Sequence, residues 1–141
     1  MKAVLALAAR YGEGSLSASQ IANKEGISVA YLEQILHVLK KKGFVKSVRG
    51  PQGGYALTKN PSQITLLSLF YTLTDKNPFE SYSKTSSVHE LHDGAIANFI
   101  FWKKLASSIE KALSEVTLKD LIDEARRLKK GKGSPAFHFH I

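Results

Sequence analysis

A chain of 141 residues that is 43% hydrophobic and 23% charged has the composition of one globular domain, or of one small domain with an appendage. Its net charge is +8, and it holds no cysteine, which excludes disulfides, thiolate zinc sites, thiolate-held iron–sulfur clusters and a cysteine nucleophile. The apolar stretch Ala3 to Ala9 runs into Arg10-Tyr11-Gly12-Glu13 instead of a small-residue cleavage site, and no run of about 18 apolar residues follows it, so the sequence reads as cytoplasmic.

Taken in order, Met1 to Arg10 is Ala/Leu-rich and reads as a helix, broken by Gly12-Glu13-Gly14. Ser17-Ala18-Ser19-Gln20 is a capping-box pattern that opens a second helix, Ala18 to Glu25, with Ile21 and Ala22 inward. Gly26 turns the chain, and Ser28 is a natural N-cap for a third helix running to about Lys42, with Gly43 where a terminating glycine belongs. Leu32, Ile35, Leu36 and Leu39 make its apolar stripe. Ala30, Tyr31, Glu33, Gln34, His37, Lys40 and Lys41 point elsewhere and offer hydrogen-bonding and cationic groups.

Phe44 to Val48 then alternates like a half-buried strand, and Tyr55 to Thr58 can pair back onto it. Between them Arg49-Gly50-Pro51-Gln52-Gly53-Gly54 is a flexible tip headed by a permanent cation. Two helices joined by a short turn, the second more basic, followed by a hairpin with arginine at its tip, read as a winged helix-turn-helix: helix for the major groove, arginine for the minor groove. The charge agrees, since residues 1–60 carry nine Lys/Arg against three acids, whereas residues 61–141 carry eleven against nine. A merely basic surface would explain the charge alone, but not its company with this motif.

After the wing, Lys59-Asn60-Pro61 leaves the sheet and Thr65 caps a short apolar helix, Leu66 to Thr74. Asp75 to Asp93 is polar and serine-rich, a loop by composition. A long helix is expected from about Gly94 to Val116, where Ile96, Phe99, Ile100, Trp102, Leu105, Ile109 and Leu113 form an apolar belt over roughly 30 Å. A small winged domain cannot cover that much aromatic surface by itself, so a dimer interface is favoured over intrachain core. Thr117 caps a last helix to about Lys129, and a basic linker leads to Pro135-Ala136-Phe137-His138-Phe139-His140-Ile141. The fold class is therefore mainly α with a small β-hairpin wing. Residues 1–75 form the DNA-binding part, 76–93 a loop, 94–130 the dimerisation helices and 131–141 a flexible tail.

Ile27-Ser28 with Tyr31 to Leu36, then Gly43 to Pro51 and Gly53 to Leu57, resemble the Rrf-two family of bacterial transcription regulators. Pro61, Ile64-Thr65, Trp102, Val116-Thr117-Leu118 and Asp120-Leu121 extend the likeness over nearly the whole chain. The resemblance implies a homodimer joined through the long helix, probing a pseudo-palindromic operator on double-stranded DNA as a repressor. It implies that Tyr31, Glu33 and Gln34 lie on the DNA face and that Arg49 enters the minor groove. The residue pattern of the helix and wing extends that face to Ser28, Ala30, His37, Lys40, Lys41, Lys46, Gly50, Gln52 and Gly53. Ala30 stands where some members have serine, which implies that the base contacts made there by a hydroxyl are lost. Lys40, Lys41 and Lys46 suit phosphates, which position without specifying. Many members hold an iron–sulfur cluster with three cysteines near the start of the long helix. Here that interval offers Ser81, Ser83, Ser86, Ser87, His89 and His92, so the cluster is not inherited, and no cofactor is expected. Members also carry a basic segment ahead of the part matching Lys2. The tail Phe137 to Ile141 resembles that of the cluster-free cysteine-metabolism repressors, which implies either docking on cysteine synthase as a second partner or packing on the chain's own dimer. The alternative function is then a protein-interaction module that binds this metabolic enzyme through its tail, with DNA as one output.

Enzymatic readings find no support. There is no Gly-x-Ser-x-Gly elbow and no phosphate-binding loop. His89 and His92 lie at helical spacing but lack a third ligand, and His138 with His140 make an equally weak metal pair.

Overall fold

The computed structural model describes residues 1–74 and 92–131. The serine-rich interval up to His89 and the tail Phe137 to Ile141 lie outside the described residues. Six α-helices, a two-stranded hairpin and a single turn of 3-10 helix make up the described part. They are α1 (Lys2–Ala9), α2 (Ala18–Glu25), α3 (Val29–Lys41), β1 (Val45–Val48), β2 (Gly54–Leu57), the 3-10 turn Pro61–Gln63, α4 (Leu66–Leu73), α5 (Asp93–Ser114) and α6 (Leu118–Lys130).

Local chemistry sets these limits. Ser17 and Gln20 close a reciprocal capping box at the start of α2: the Gln20 amide donates to Ser17 Oγ at 3.1 Å, and the Ser17 amide donates to Gln20 Oε1 at 2.9 Å. Gly26 ends that helix in the left-handed region, φ 65°. Ser28 opens α3, its hydroxyl accepting from the Tyr31 amide at 3.3 Å. Gly43, at φ 76°, closes it and lets the Phe44 amide reach back to the Leu39 carbonyl at 2.9 Å.

The core gathers the inward faces of every part of the winged unit. Val4 and Leu7 of α1, Ile21 of α2, and Leu32, Leu36 and Leu39 of α3 meet Val45 and Leu57 of the hairpin and Leu69 of α4. Burying such side chains contributes about 1.5–3 kcal/mol each. Ile35 packs against the cluster from its margin.

The strands pair antiparallel with Val45 opposite Leu57 and Val48 opposite Gly54. A third segment joins them, because Leu16 bridges Tyr55 through paired backbone bonds of 3.0 and 2.8 Å. This bridge is not visible in the sequence, where Leu16 is a single apolar residue between serines. It explains Gly54: a Cβ there would stand 2.3 Å from the Leu16 carbonyl oxygen.

The two C-terminal helices differ in their packing. α6 returns to the winged unit, with Leu118 fully buried among the core residues. Its start is pinned by the Thr65–Thr117 bridge: the Leu66 amide donates to the Val116 carbonyl at 2.9 Å, and the Leu118 amide to the Ile64 carbonyl at 3.0 Å. Further along, the Arg126 guanidinium donates to the Ala9 carbonyl at 3.2 Å, at the C-terminal end of α1, where a cation is favoured. In contrast, α5 is 22 residues long and buries no side chain completely. It lies along α4, where the Tyr71 hydroxyl donates to the Glu110 carboxylate. Among the described residues no helix is long and apolar enough to cross a membrane.

Candidate nucleic-acid interface

The two faces of α3 lie half a turn apart around its axis. Leu32, Leu36 and Leu39 are fully buried, which directs Ala30, Gln34, His37 and Lys41 to the opposite side, spaced four, three and four residues apart. All four are exposed. Glu33 and Lys40 stand on one flank of that line, and Tyr31, 57% exposed, on the other. A ring left that open is available for contact with a partner.

The hairpin follows directly and is fastened to the same helix. The Lys40 ammonium donates to Ser47 Oγ at 2.8 Å, tying the last turn of α3 to β1. Alternation along the strand sends Lys46 and Val48 to the other side of the sheet. There they line a cleft of about 400 Å³ with Leu7, Tyr11 and Ser15. Lys46 thus lies on the opposite side of the hairpin from Ser47 and the Lys40 ammonium. Lys40, with two further N–H donors on its ammonium, remains beside the outward line, which Lys41 ends.

Arg49 stands exposed at the wing tip with Gly50, Pro51 and Gln52. The tip is a built turn. The Gly53 amide donates to the Gly50 carbonyl at 2.8 Å, Pro51 occupies the corner, and Gly50 takes φ 124°. A Cβ on Gly53 would lie 2.8 Å from both the Gly50 and Val48 carbonyl oxygens. Ser15 Oγ donates to the Gln52 carbonyl at 2.6 Å, which anchors the tip to the connection between α1 and α2. The wing, expected to be flexible from its glycines, is therefore held at both its base and its tip.

The residues of the expected dimer belt divide between two sides of α5. Phe99, Trp102, Ile109 and Leu113 are half-buried, as is Ile96, whereas Ile100 is 46% and Leu105 37% exposed. Phe101, absent from the sequence reading, is the most open of all at 57%, its ring edge-on to Trp102 with centroids 5.3 Å apart. Its signal was present as an i, i+4 pair with Leu105, masked by the stronger pattern running through Phe99 and Trp102.

Comparison with known proteins agrees with this geometry. The pattern of the Rrf2 family, described as an iron-dependent transcriptional regulator, matches residues 1–124. The HTH-type transcriptional regulator CymR of Bacillus subtilis is 34% identical over 118 residues, covering 84% of this chain and 80% of that protein. Among solved structures, T. potens IscR superposes with a TM-score of 0.76 at 34% identity, covering 94% of this chain and 86% of that one. CymR, the global cysteine regulator of B. subtilis, gives 0.70 at 30% identity, with 86% and 88% covered.

The family description names iron, so the donors matter. The chain supplies no thiolate. His92 uses its Nδ1 to cap α5, accepting from the Ala95 amide at 3.2 Å. Among the described residues no three His, Cys, Asp or Glu side chains lie together as a metal would need. A thiolate-held cluster does not fit this donor set. His89 and the paired His138 and His140 lie outside the described residues. The relatives are regulators and not enzymes, and the winged helical architecture is theirs. With a family pattern that spans most of its length, the chain belongs to the Rrf2 family of transcriptional regulators.

Proposed function

We propose that the protein is a sequence-specific DNA-binding repressor of the cytoplasm that works as a homodimer on a pseudo-palindromic operator, without an iron–sulfur cluster. The observation that carries this reading is the exposed line Ala30, Gln34, His37 and Lys41 on a buried-backed helix, with Arg49 exposed at the tip of a wing whose base is fastened to the same helix. In the reading, α3 enters the major groove. Gln34 pairs with the N6/N7 edge of adenine, and Glu33 accepts from cytosine N4. Arg49 enters the minor groove, where a narrow A·T-rich segment concentrates negative potential. Lys40, Lys41 and the amides at the Ser28-capped start of α3 meet phosphates and fix the register. Lys46 acts on phosphate only if the backbone passes along the far side of the wing.

The dimer places two such units one helical turn apart on the duplex through α5. Occupying promoter DNA in that way excludes other proteins from it, which is repression. Absence of thiolates makes the signal something other than cluster assembly or loss. A second contact, of the tail Phe137 to Ile141 with cysteine synthase, rests on the likeness to CymR. It is tested separately by deleting those residues and titrating cysteine synthase.

Selection of genomic DNA by the purified protein at near-physiological salt, with Arg49→Ala in parallel, tests the main reading. An enriched two-fold-symmetric motif is expected, with affinity reduced by about 1–3 kcal/mol in the variant. Binding that is equally tight on every sequence sinks it.

A further inference from the structure

Along the outward line of α3, three of the four side chains carry polar atoms and one does not. Ala30 is exposed, is the second residue of the helix, and heads the line that continues through Gln34, His37 and Lys41. In helix-turn-helix docking the N-terminal residues of the reading helix approach the base edges most closely. A bare methyl group at that point gains nothing from a polar edge. Against the N7, O6, N6 or N4 groups of guanine, adenine or cytosine it would displace water without replacing the hydrogen bonds. The major groove offers a single apolar feature, the C5-methyl of thymine.

We propose that Ala30 is a specificity-determining residue which selects a pyrimidine bearing a 5-methyl group, thymine or 5-methylcytosine, in each operator half-site. The inference rests on the DNA-binding reading above and deepens it. The flanking groups sharpen the selection. Tyr31, 57% exposed, stands on one side, and Glu33 on the other, so a base edge facing Ala30 is shielded from bulk water. On the N-terminal side, the oxygen of the Ser28 hydroxyl is engaged as acceptor by the Tyr31 amide at 3.3 Å, where it caps the helix. Gln34, one turn on, addresses the neighbouring base pair, so methyl contact and adenine contact fall side by side in the half-site.

The experiment replaces thymines of the selected operator one at a time by deoxyuridine, which removes the methyl group and leaves the base pairing intact. Titrations at fixed salt compare wild type, Ala30→Gly and Ala30→Ser, with circular dichroism as the control for folding. For wild type, one thymine in each half-site is expected to matter, uracil weakening binding about four-fold, the factor that one buried methyl group gives. At that position 5-methylcytosine should bind better than cytosine by the same factor. Ala30→Gly should be indifferent to the methyl there while keeping its dependence on the Gln34 base pair. If Ala30→Gly folds poorly, Ala30→Ser, which keeps the helix start, is expected to lose most of the thymine preference. Equal binding of thymine and uracil at every position overturns the inference, and so does a methyl effect that persists in both variants. No enriched motif at all overturns the DNA reading beneath it instead.

Discussion

Single side chains in this fold divide by whether their neighbours leave room for anything else. Gly54 is the extreme case, because the Leu16 carbonyl would be 2.3 Å from its Cβ and the Ser17 amide 2.7 Å. Both neighbours are backbone, held in place by the bridge to Tyr55, so neither can move aside cheaply. Gly54→Ala should cost about 1–3 kcal/mol, as overpacking does, read as a lower midpoint in urea unfolding. A stability equal to wild type would mean that the Leu16–Tyr55 bridge is not formed in solution. On the outward face the converse holds. Gln34 and Lys41 are exposed and fold-neutral, so their removal should be read in DNA binding alone. Lys41→Ala should weaken all sequences alike and lower the salt slope by about one, whereas Gln34→Ala should relax one base pair by about 1–3 kcal/mol. If the two variants have the same profile across sequences, the division of α3 into a positioning end and a reading face is wrong.

Elements are fastened by a few bonds at their ends, and those bonds decide how the reading unit is coupled to the rest. Thr117 and Asp120 form a capping box at α6, the Thr117 amide donating to the Asp120 carboxylate at 2.8 Å. That bonding from Thr117 holds the Asp120 carboxyl below its usual range. Its stabilisation is therefore present above the ordinary carboxylate pKa and fades as acid protonates the group. The joint between α4 and α5 is Tyr71 with Glu110. Bonding to the carboxylate, with some burial, pushes the Tyr71 hydroxyl from its ordinary 10 up to about 12. A group raised in the folded state stabilises fully below its unfolded pKa and loses that contribution as pH climbs through the folded one. Tyr71→Phe should thus lie about 1 kcal/mol below wild type at neutral pH, with the gap closing between pH 10 and about 12. A gap constant over that window would show that the hydroxyl does not bond Glu110. Caps, turns and the hairpin were legible in the sequence because each is a local contract among three or four neighbours: Ser17 with Gln20, Ser28 before Tyr31, Thr117 with Asp120, Gly43 after the Lys run. The Leu16 bridge, the Lys40–Ser47 tie, Tyr71 on Glu110 and Arg126 on Ala9 were not. Each joins residues whose meeting depends on the packing of whole helices, and single Leu, Ser, Tyr or Arg residues carry no pattern that announces it. Candidate site residues were legible for the same local reason, since the outward line of α3 is simply what its leucines leave over.

At the scale of the molecule the unanswered physical demand is α5. A helix of 22 residues with no fully buried side chain and with Ile100, Phe101 and Leu105 at 46%, 57% and 37% exposure is not stabilised by one packed side. Beyond Phe101 and Leu105, the same side carries Ser108 and Ala112, both exposed and both small enough to let a second helix approach closely. Phe101, Leu105, Ser108 and Ala112 follow one another at intervals of four, three and four, which is the repeat of a helix pair. A second copy of α5 would satisfy both chains at once, as a two-fold contact must. Its consequence for function is steep. On the proposed operator each winged unit alone would hold a half-site weakly, and joining two would make the second contact intramolecular, worth about a hundredfold or more in affinity. Replacing Phe101 and Leu105 together by aspartate should leave the winged unit folded, because neither belongs to its core. Sedimentation equilibrium should then give a monomer, the full operator should bind about a hundredfold more weakly, and the isolated half-site should bind as before. A variant that stays dimeric puts the interface elsewhere on the chain. One that is monomeric yet binds the full operator undiminished removes the need for a dimer altogether.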